Sequence, residues 1–402
     1  MKTRYDVLIV GGGMVGSALA CALGNTGLSV AVLERQLPEP FVASQPHDLR
    51  VSALSIASER FLQNIGAWDG IRSRRSCPYK RMKVWERSSD KGATEFDAAD
   101  SGYSHLGHIV ENRIVQLALL ERLGELDNVD LISPARTLRI DYSPGATLVE
   151  LEGGEQVVGR LVVAADGGDS MVRQAAGIGV TKWDYHQHAL VAGVTTAYGQ
   201  EDITWQQFQP SGPLAFLPLS GHNASVVWYN TPNEVKRLRA LPDDAFLQQL
   251  HANFPPELGT ITEIQGRSSF PLRRQHAQQY ALEGLVLVGD AAHMIHPLAG
   301  QGVNIGMLDA AALAEVLLQA HAQGEAHESM PVLSRYEKQR RHHNLLMMQI
   351  MDGFYHVFTN DIGPLKLVRN LGLGLAGRIP LARRQVMEFA MGIRGSLPGL
   401  AR

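Results

Sequence analysis

The sequence predicts an α/β fold: a Rossmann-like, three-layer ββα dinucleotide-binding domain interleaved with an antiparallel β-sheet domain, followed by C-terminal helices. Three observations carry this. A glycine-rich turn sits between an apolar strand and a helix near the start of the chain. Two further apolar runs end in Asp-Gly and Gly-Asp, and a long β-alternating stretch lies between those runs. The expected division is a discontinuous dinucleotide-binding domain over residues 1–72, 105–182 and 271–330, a substrate-binding β-sheet domain over 73–104 and 183–270, and a helical region over 331–402.

Residues 6–10 are apolar and β-leaning, 11–13 turn, 14–23 read as helix and 28–33 as a second strand, which together make a βαβ unit. Gly11-Gly12-Gly13-Met14-Val15-Gly16 fits GxGxxG, and Glu34 follows about 20 residues on, at the end of the second strand. Gly11 permits the tight turn, Gly13 lets backbone approach a pyrophosphate, and Gly16 lets helix and strand pack closely. The helix N-terminus offers N–H groups and a positive dipole end to phosphate, and Glu34 would accept from ribose hydroxyls. The fingerprint alone does not separate NAD from FAD.

Residues 159–165, with Leu161, Val162 and Val163 at the centre, and residues 284–289 are continuous apolar runs that suit a sheet covered on both faces. Between them, segments such as Leu214-Ala215-Phe216-Leu217-Pro218-Leu219 and Ala224-Ser225-Val226-Val227-Trp228-Tyr229 alternate as antiparallel strands do, and the substrate is placed there. From residue 331 the chain reads as helix, with Arg340, Arg341, His342 and His343 expected on a solvated face.

Composition narrows the function. The 402 residues carry a net charge of -3, so no global basic field gathers nucleic acid. Cys21 and Cys77 are the two cysteines, without CxxC or Cys/His ligand spacing, and neither a disulfide framework nor a metal site is expected. Glycines break the first apolar run, so no signal peptide is read, and no run of about 18 apolar residues marks a membrane span. A cytoplasmic location is expected. GxSxG, HExxH and P-loop motifs are absent, which leaves hydrolase, zinc-protease and kinase readings without support.

The second nucleotide signal is Gly289-Asp290-Ala291-Ala292-His293, followed by Pro297, Gly300-Gln301-Gly302-Val303-Asn304 and a helix through Asp309. Together with Asp166-Gly167-Gly168-Asp169-Ser170-Met171-Val172-Arg173, it resembles the aromatic-hydroxylase family of FAD-dependent monooxygenases, that of para-hydroxybenzoate hydroxylase. The resemblance implies FAD as cofactor, O2 as cosubstrate, and NADH, NADPH or a partner protein as electron donor. In the family reaction the reduced flavin forms a C4a-hydroperoxide, whose distal oxygen is attacked by an electron-rich ring.

The resemblance also implies site roles. Asp290 accepts from a ribityl hydroxyl, and the helix after Gly302, through Val303 and Asn304, aims its N-terminus at the flavin N1/C2 carbonyl, favouring the anionic reduced ring. Pro297, Gly300 and Gln301 belong to the loop beside the isoalloxazine. Arg50 matches an arginine placed on the pyrophosphate; taken alone, an arginine here is more often a solvated one. Asp166 and Gly167 belong to the family's second dinucleotide motif, although Asp166 also suits a helix cap. No catalytic side chain is assigned; Pro297, His296 and Gln301 are flavin-loop candidates, and His293 and His296 either assist proton movement or are structural.

Within the family, residues 103–112, 183–190 and 289–304 look most like the ring hydroxylases of ubiquinone biosynthesis. Residues 204–208, 215–219 and 352–373 most resemble those acting on 2-polyprenyl-3-methyl-6-methoxy-1,4-benzoquinol. Residues 103–112 fit a hydroxylase of another ring position, acting on a 2-polyprenylphenol or 2-polyprenyl-6-methoxyphenol, equally well. A flavin-dependent prenyl reductase and a low-turnover assembly subunit bound to other ubiquinone-biosynthesis proteins are the competing readings. Leu365, Leu367, Val368, Leu371, Leu373 and Leu375, with Lys366, Arg369, Arg378, Arg383 and Arg384, form either a peripheral contact with the inner membrane face or a helix packed on the core.

Overall fold

The computed structural model describes residues 3–86, 93–295, 302–359, 384–385, 387–388, 391–393 and 395–402. Its first sheet is centred on strand Arg4–Val10, which is hydrogen-bonded in parallel to Val30–Leu33 on one side and to Gln156–Ala164 on the other. Val129–Ile132 extends the sheet beyond Val30–Leu33, and Leu285–Leu287 extends it beyond Gln156–Ala164, both in parallel. These strands are apolar at nearly every position because both faces are covered. Helix Met14–Ala22 lies against Asn112–Leu123 and Gly302–Ala322 on one side. An antiparallel hairpin, Thr137–Asp141 with Thr147–Leu151, branches from Gln156–Ala164. The expected Rossmann-like α/β architecture is present.

The second sheet has eight strands. Its longest strands are the antiparallel pair Val180–Thr196 and Ile261–Ala277, each 17 residues long, near one edge, with Asn223–Asn230 next to the first toward the middle of the sheet. His186 has φ 52 where the register of that pair shifts between Asp184 and His188. Leu214–Pro218 and Ile203–Phe208 continue the antiparallel order, and Ile203–Phe208 then pairs in parallel with Arg81–Glu86.

The alternation read over 183–270 is therefore present but incomplete. Helices Pro232–Ala240 and Asp243–Asn253 interrupt it, and they bury Val235, Leu238, Phe246 and Leu250 against the sheet. Each has a local cause. Thr231 accepts from the Glu234 amide and Pro232 follows it at the first helical position; Asp243 and Asp244 sit in the first turn of the second helix. A third, three-stranded sheet joins Val51–Ser55, Gly107–Glu111 and Cys77–Tyr79.

Gly302–Ala322 is long and apolar enough to cross a membrane by length and composition, although no uninterrupted apolar run was read there. It is a core helix: 78% of its apolar window is buried in the protein. The following helix, Met330–Thr359, corrects another expectation. Arg340 is 1% exposed rather than solvated, and of the four basic residues read as a surface face His342 alone is exposed.

Candidate active site

A cavity of about 990 Å³ lies between the two large sheets. Its floor is the carboxyl end of the parallel sheet, where Ala165 and Val288 directly follow their strands, as expected for ligands of open α/β sheets. Its roof comes from the second sheet, where Val191, Ala215, Leu217 and Val227 give an apolar patch beside Thr204, Gln206 and Arg273.

The glycine turn is shaped by contact. Gly11 has φ +107, and an added Cβ would lie 2.3 Å from the Ala165 carbonyl oxygen; at Gly16 it would lie 2.0 Å from the Gly11 oxygen. At Gly13 it would meet nothing within 4 Å, so this residue fronts open space at the N-terminus of helix Met14–Ala22. Gly12, to which the motif assigns no job, is also constrained, because its Cβ would come within 2.8 Å of Glu34 Cβ. Glu34 accepts from the Gly12 amide at 2.7 Å and from the Gln36 amide at 3.1 Å, so the residue read as a ribose acceptor also clamps the turn. Gln116, which no motif marked, donates to the Gly12 carbonyl at 2.8 Å.

Asp166 caps a helix with one oxygen and leaves the other unpaired. One carboxylate oxygen accepts from the Met171 and Val172 amides at 2.7 and 3.2 Å, capping the short helix Met171–Ala175. The other, Oδ1, is buried with no hydrogen-bond partner. Burial pushes this carboxyl above its ordinary value, against the hydrogen bonds from Ser170 and the helix amides. Gly167 beside it has φ +84 and lines the cavity. Arg173 is 2% exposed and spends its guanidinium on the Ala291 and Gly168 carbonyls at 2.8 and 2.9 Å, bracing the Asp-Gly turn against the Gly-Asp turn.

Asp290 lines the cavity and makes no hydrogen bond to a described residue. The surrounding protein raises its carboxyl above the ordinary value, opposed by the charges of His293 and of Arg50, which lines the same cavity. Gly302 and Val303 open helix Gly302–Ala322 onto this space.

Asn304 is turned away from it. Its amide accepts from the Ser55 amide at 2.9 Å and the Ser58 hydroxyl at 2.8 Å, and donates to the Ala53 carbonyl at 2.8 Å, tying the helix start to the strand and helix beside it. His293 is also tied into the protein: it is 2% exposed and bonds Asp309, which also accepts from Arg340 and Asn344. His296, Pro297, Gly300 and Gln301 lie outside the described residues.

Two helix N-termini, the Asp290 carboxylate and Arg50 thus line one cavity, with the buried Asp166 carboxylate behind Gly167, a donor and acceptor set that suits a dinucleotide with a polar ring system. Residues 4–350 match the family described as FAD binding domain. The chain belongs to that FAD-binding family. It is 43% identical to the 3-demethoxyubiquinol 3-hydroxylase of Escherichia coli, over 96% of this chain and 98% of that one. It is 40% identical to the ubiquinone hydroxylase UbiL of Rhodospirillum rubrum, over 96% and 89%, and 35% identical to the mitochondrial ubiquinone biosynthesis monooxygenase COQ6 of Xenopus tropicalis, over 96% and 93%.

Among solved structures, p-nitrophenol 4-monooxygenase PnpA of Pseudomonas putida superposes with TM-score 0.79 at 21% identity, covering 98% of this chain and 100% of that one. PqsL of Pseudomonas aeruginosa gives 0.77 at 23%, covering 92% and 99%. These two share the fold. The chain is an FAD-dependent monooxygenase of the ubiquinone-biosynthesis hydroxylase family, and its residues fit FAD. Gly13 leaves room for the pyrophosphate, the orphaned Asp166 Oδ1 and the free Asp290 carboxylate await donors, and Arg50 supplies positive charge.

Proposed function

We propose that this chain hydroxylates the ring of a polyprenylated benzoquinol in ubiquinone biosynthesis, and that its step is the 3-hydroxylation of 3-demethoxyubiquinol. The supporting observation is the 43% identity to the Escherichia coli enzyme of that name across nearly the whole of both chains. When bound, FAD supplies electron transfer from NADH, NADPH or a partner protein and activation of O2. The chain's own residues then have three tasks. Arg50, Asp166, Asp290 and the two helix N-termini hold and orient the cofactor. Val191, Ala215, Leu217 and Val227 present an apolar face against which a substituted ring and the start of a prenyl chain can lie. Met82, Leu106 and Ile295 line the cavity with apolar surface and exclude water, which would otherwise uncouple reduction from hydroxylation.

We further propose that the protein works in the cytoplasm against the inner membrane face, since its substrate carries a polyprenyl chain. Of the residues read for that contact, Leu365 to Arg383 lie outside the described residues, and Arg384 is exposed and ion-paired with Glu388. The deciding experiment supplies purified protein with reductant, labelled O2 and short-tailed quinols. One labelled oxygen at C3 of a demethoxyubiquinol analogue is the expected result. Turnover confined to a 2-polyprenylphenol or 2-polyprenyl-6-methoxyphenol analogue would move the chain to another step of the pathway.

A further inference from the structure

Two histidines in the stretch 103–112 have no part in the cavity chemistry, and both face a carboxylate from a distant part of the sequence. Glu59 lies in the first turn of helix Ile56–Asn64, His105 precedes strand Gly107–Glu111, and His108 lies on that strand. Each offers one ligand atom, and the three atoms lie within 4.8 Å of one another. Glu59 Oε2 is 2.7 Å from His105 Nε2 and 3.2 Å from His108 Nδ1. Donors at about 2.0–2.1 Å from a tetrahedral ion stand roughly 3.3 Å apart, so small side-chain rotations would close this triangle around one.

His108 makes the independent case. The residue is 8% exposed, and its Nδ1, although 3.2 Å from Glu59, is directed out of line and has no hydrogen-bond partner. A buried ring nitrogen left unsatisfied is destabilising, and an ion at the centre of the triangle would satisfy it. Outer partners of the kind that orient metal ligands are already in place. Gln63 donates to the other Glu59 oxygen at 3.0 Å, Ser104 Oγ is hydrogen-bonded to His105 Nδ1 at 2.8 Å, and Trp68 packs edge-on to His108. His105 keeps 18% of its side chain exposed, which leaves a solvent side for a water ligand.

We propose that Glu59, His105 and His108 bind a divalent transition-metal ion, zinc by their ligand chemistry, with water in the fourth position. Leu106, between the two histidines, lines the active-site cavity, so the ion would pin one wall of that cavity to helix Ile56–Asn64.

The test uses the full-length FAD-loaded protein, stripped with a chelator and titrated with zinc chloride against a chromophoric zinc indicator, alongside His108→Ala and His105→Gln. The His105→Gln change is at a partly exposed site, so it guards against a folding defect in the other variant. The expected result is one zinc per chain in the parent. Each variant should weaken binding by about 100-fold or more while keeping its flavin absorption. Zinc should also raise the Tm of the parent and not of the variants. Zinc retained no better by the parent than by His105→Gln, or a Tm indifferent to zinc, would overturn the assignment.

Discussion

The three motif glycines differ in what a single methyl group would do to them. Gly11→Ala places Cβ against the Ala165 carbonyl at a positive φ, so the apo protein itself should lose about 2 kcal/mol or more, visible as a lower Tm without cofactor. Gly13→Ala meets no protein atom within 4 Å, so the apo Tm should stay close to that of the parent. FAD affinity, read by quenching of flavin fluorescence, should instead fall at least about tenfold, because the methyl occupies the pyrophosphate's approach. An apo Tm lowered equally by both substitutions would remove the distinction. At Asp166, alanine removes both a helix cap, worth about 1 kcal/mol, and the acceptor at the orphaned oxygen, so both readouts should drop together. Motif reading located these residues but could not divide their labour. The Gly12 amide that Glu34 clamps and the Asn304 amide spent on Ala53, Ser55 and Ser58 are choices of direction that spacing does not encode.

At the scale of elements, the join between helices Gly302–Ala322 and Met330–Thr359 is an ionic one. Asp309 is 0% exposed and accepts from Arg340 and Asn344 at 2.8 and 2.9 Å, while His293 bonds its other oxygen. Burial opposes ionisation, yet the charges of His293 and Arg340 hold the Asp309 carboxyl well below its ordinary value of 3.8. With the folded-state value depressed, this stabilisation is complete above about 3.8 and lost as the pH falls below it. Urea unfolding from pH 7 to pH 3 should show the parent losing stability at the acid end. Asp309→Asn should be about 3–5 kcal/mol less stable at pH 7, since Arg340 is left buried without its counter-charge, and should show a flatter acid limb. An unchanged midpoint would mean that the network is idle. The sequence marked Arg340 as a surface residue because it stands in the basic run 335–343, and charge runs usually face water. Its partner is 31 residues away, on a helix where a lone aspartate among apolar residues was the available signal.

For the whole molecule, the residues proposed to hold the cofactor and those proposed to face the substrate come from different sheets across one cavity, so the two functions are expected to be separable. Val227→Trp projects bulk into the cavity from strand Asn223–Asn230 and away from the glycine turn. The variant should keep its flavin while product formation from a demethoxyubiquinol analogue falls more than about tenfold and peroxide release per NAD(P)H rises. Loss of flavin instead would show that the sheets are not independent in this respect. The overall α/β plan was legible because both nucleotide signals sit at strand ends and the apolar runs around them are continuous. The helices at Pro232–Ala240 and Asp243–Asn253 were not, since their short amphipathic patterns lie within a stretch dominated by β-alternation.

The order of strands in the parallel sheet also bears on how the chain is made. Arg4–Val10 leaves the ribosome well before its neighbour Gln156–Ala164, which follows some 150 residues later, and that strand's own partner, Leu285–Leu287, comes later still. At about 5–20 residues per second, an apolar strand and its glycine turn wait roughly 15–60 seconds during translation before the sheet that buries them is complete. A complete cofactor cradle is accordingly expected late in synthesis, and over that interval the first βαβ unit carries an unpaired strand edge.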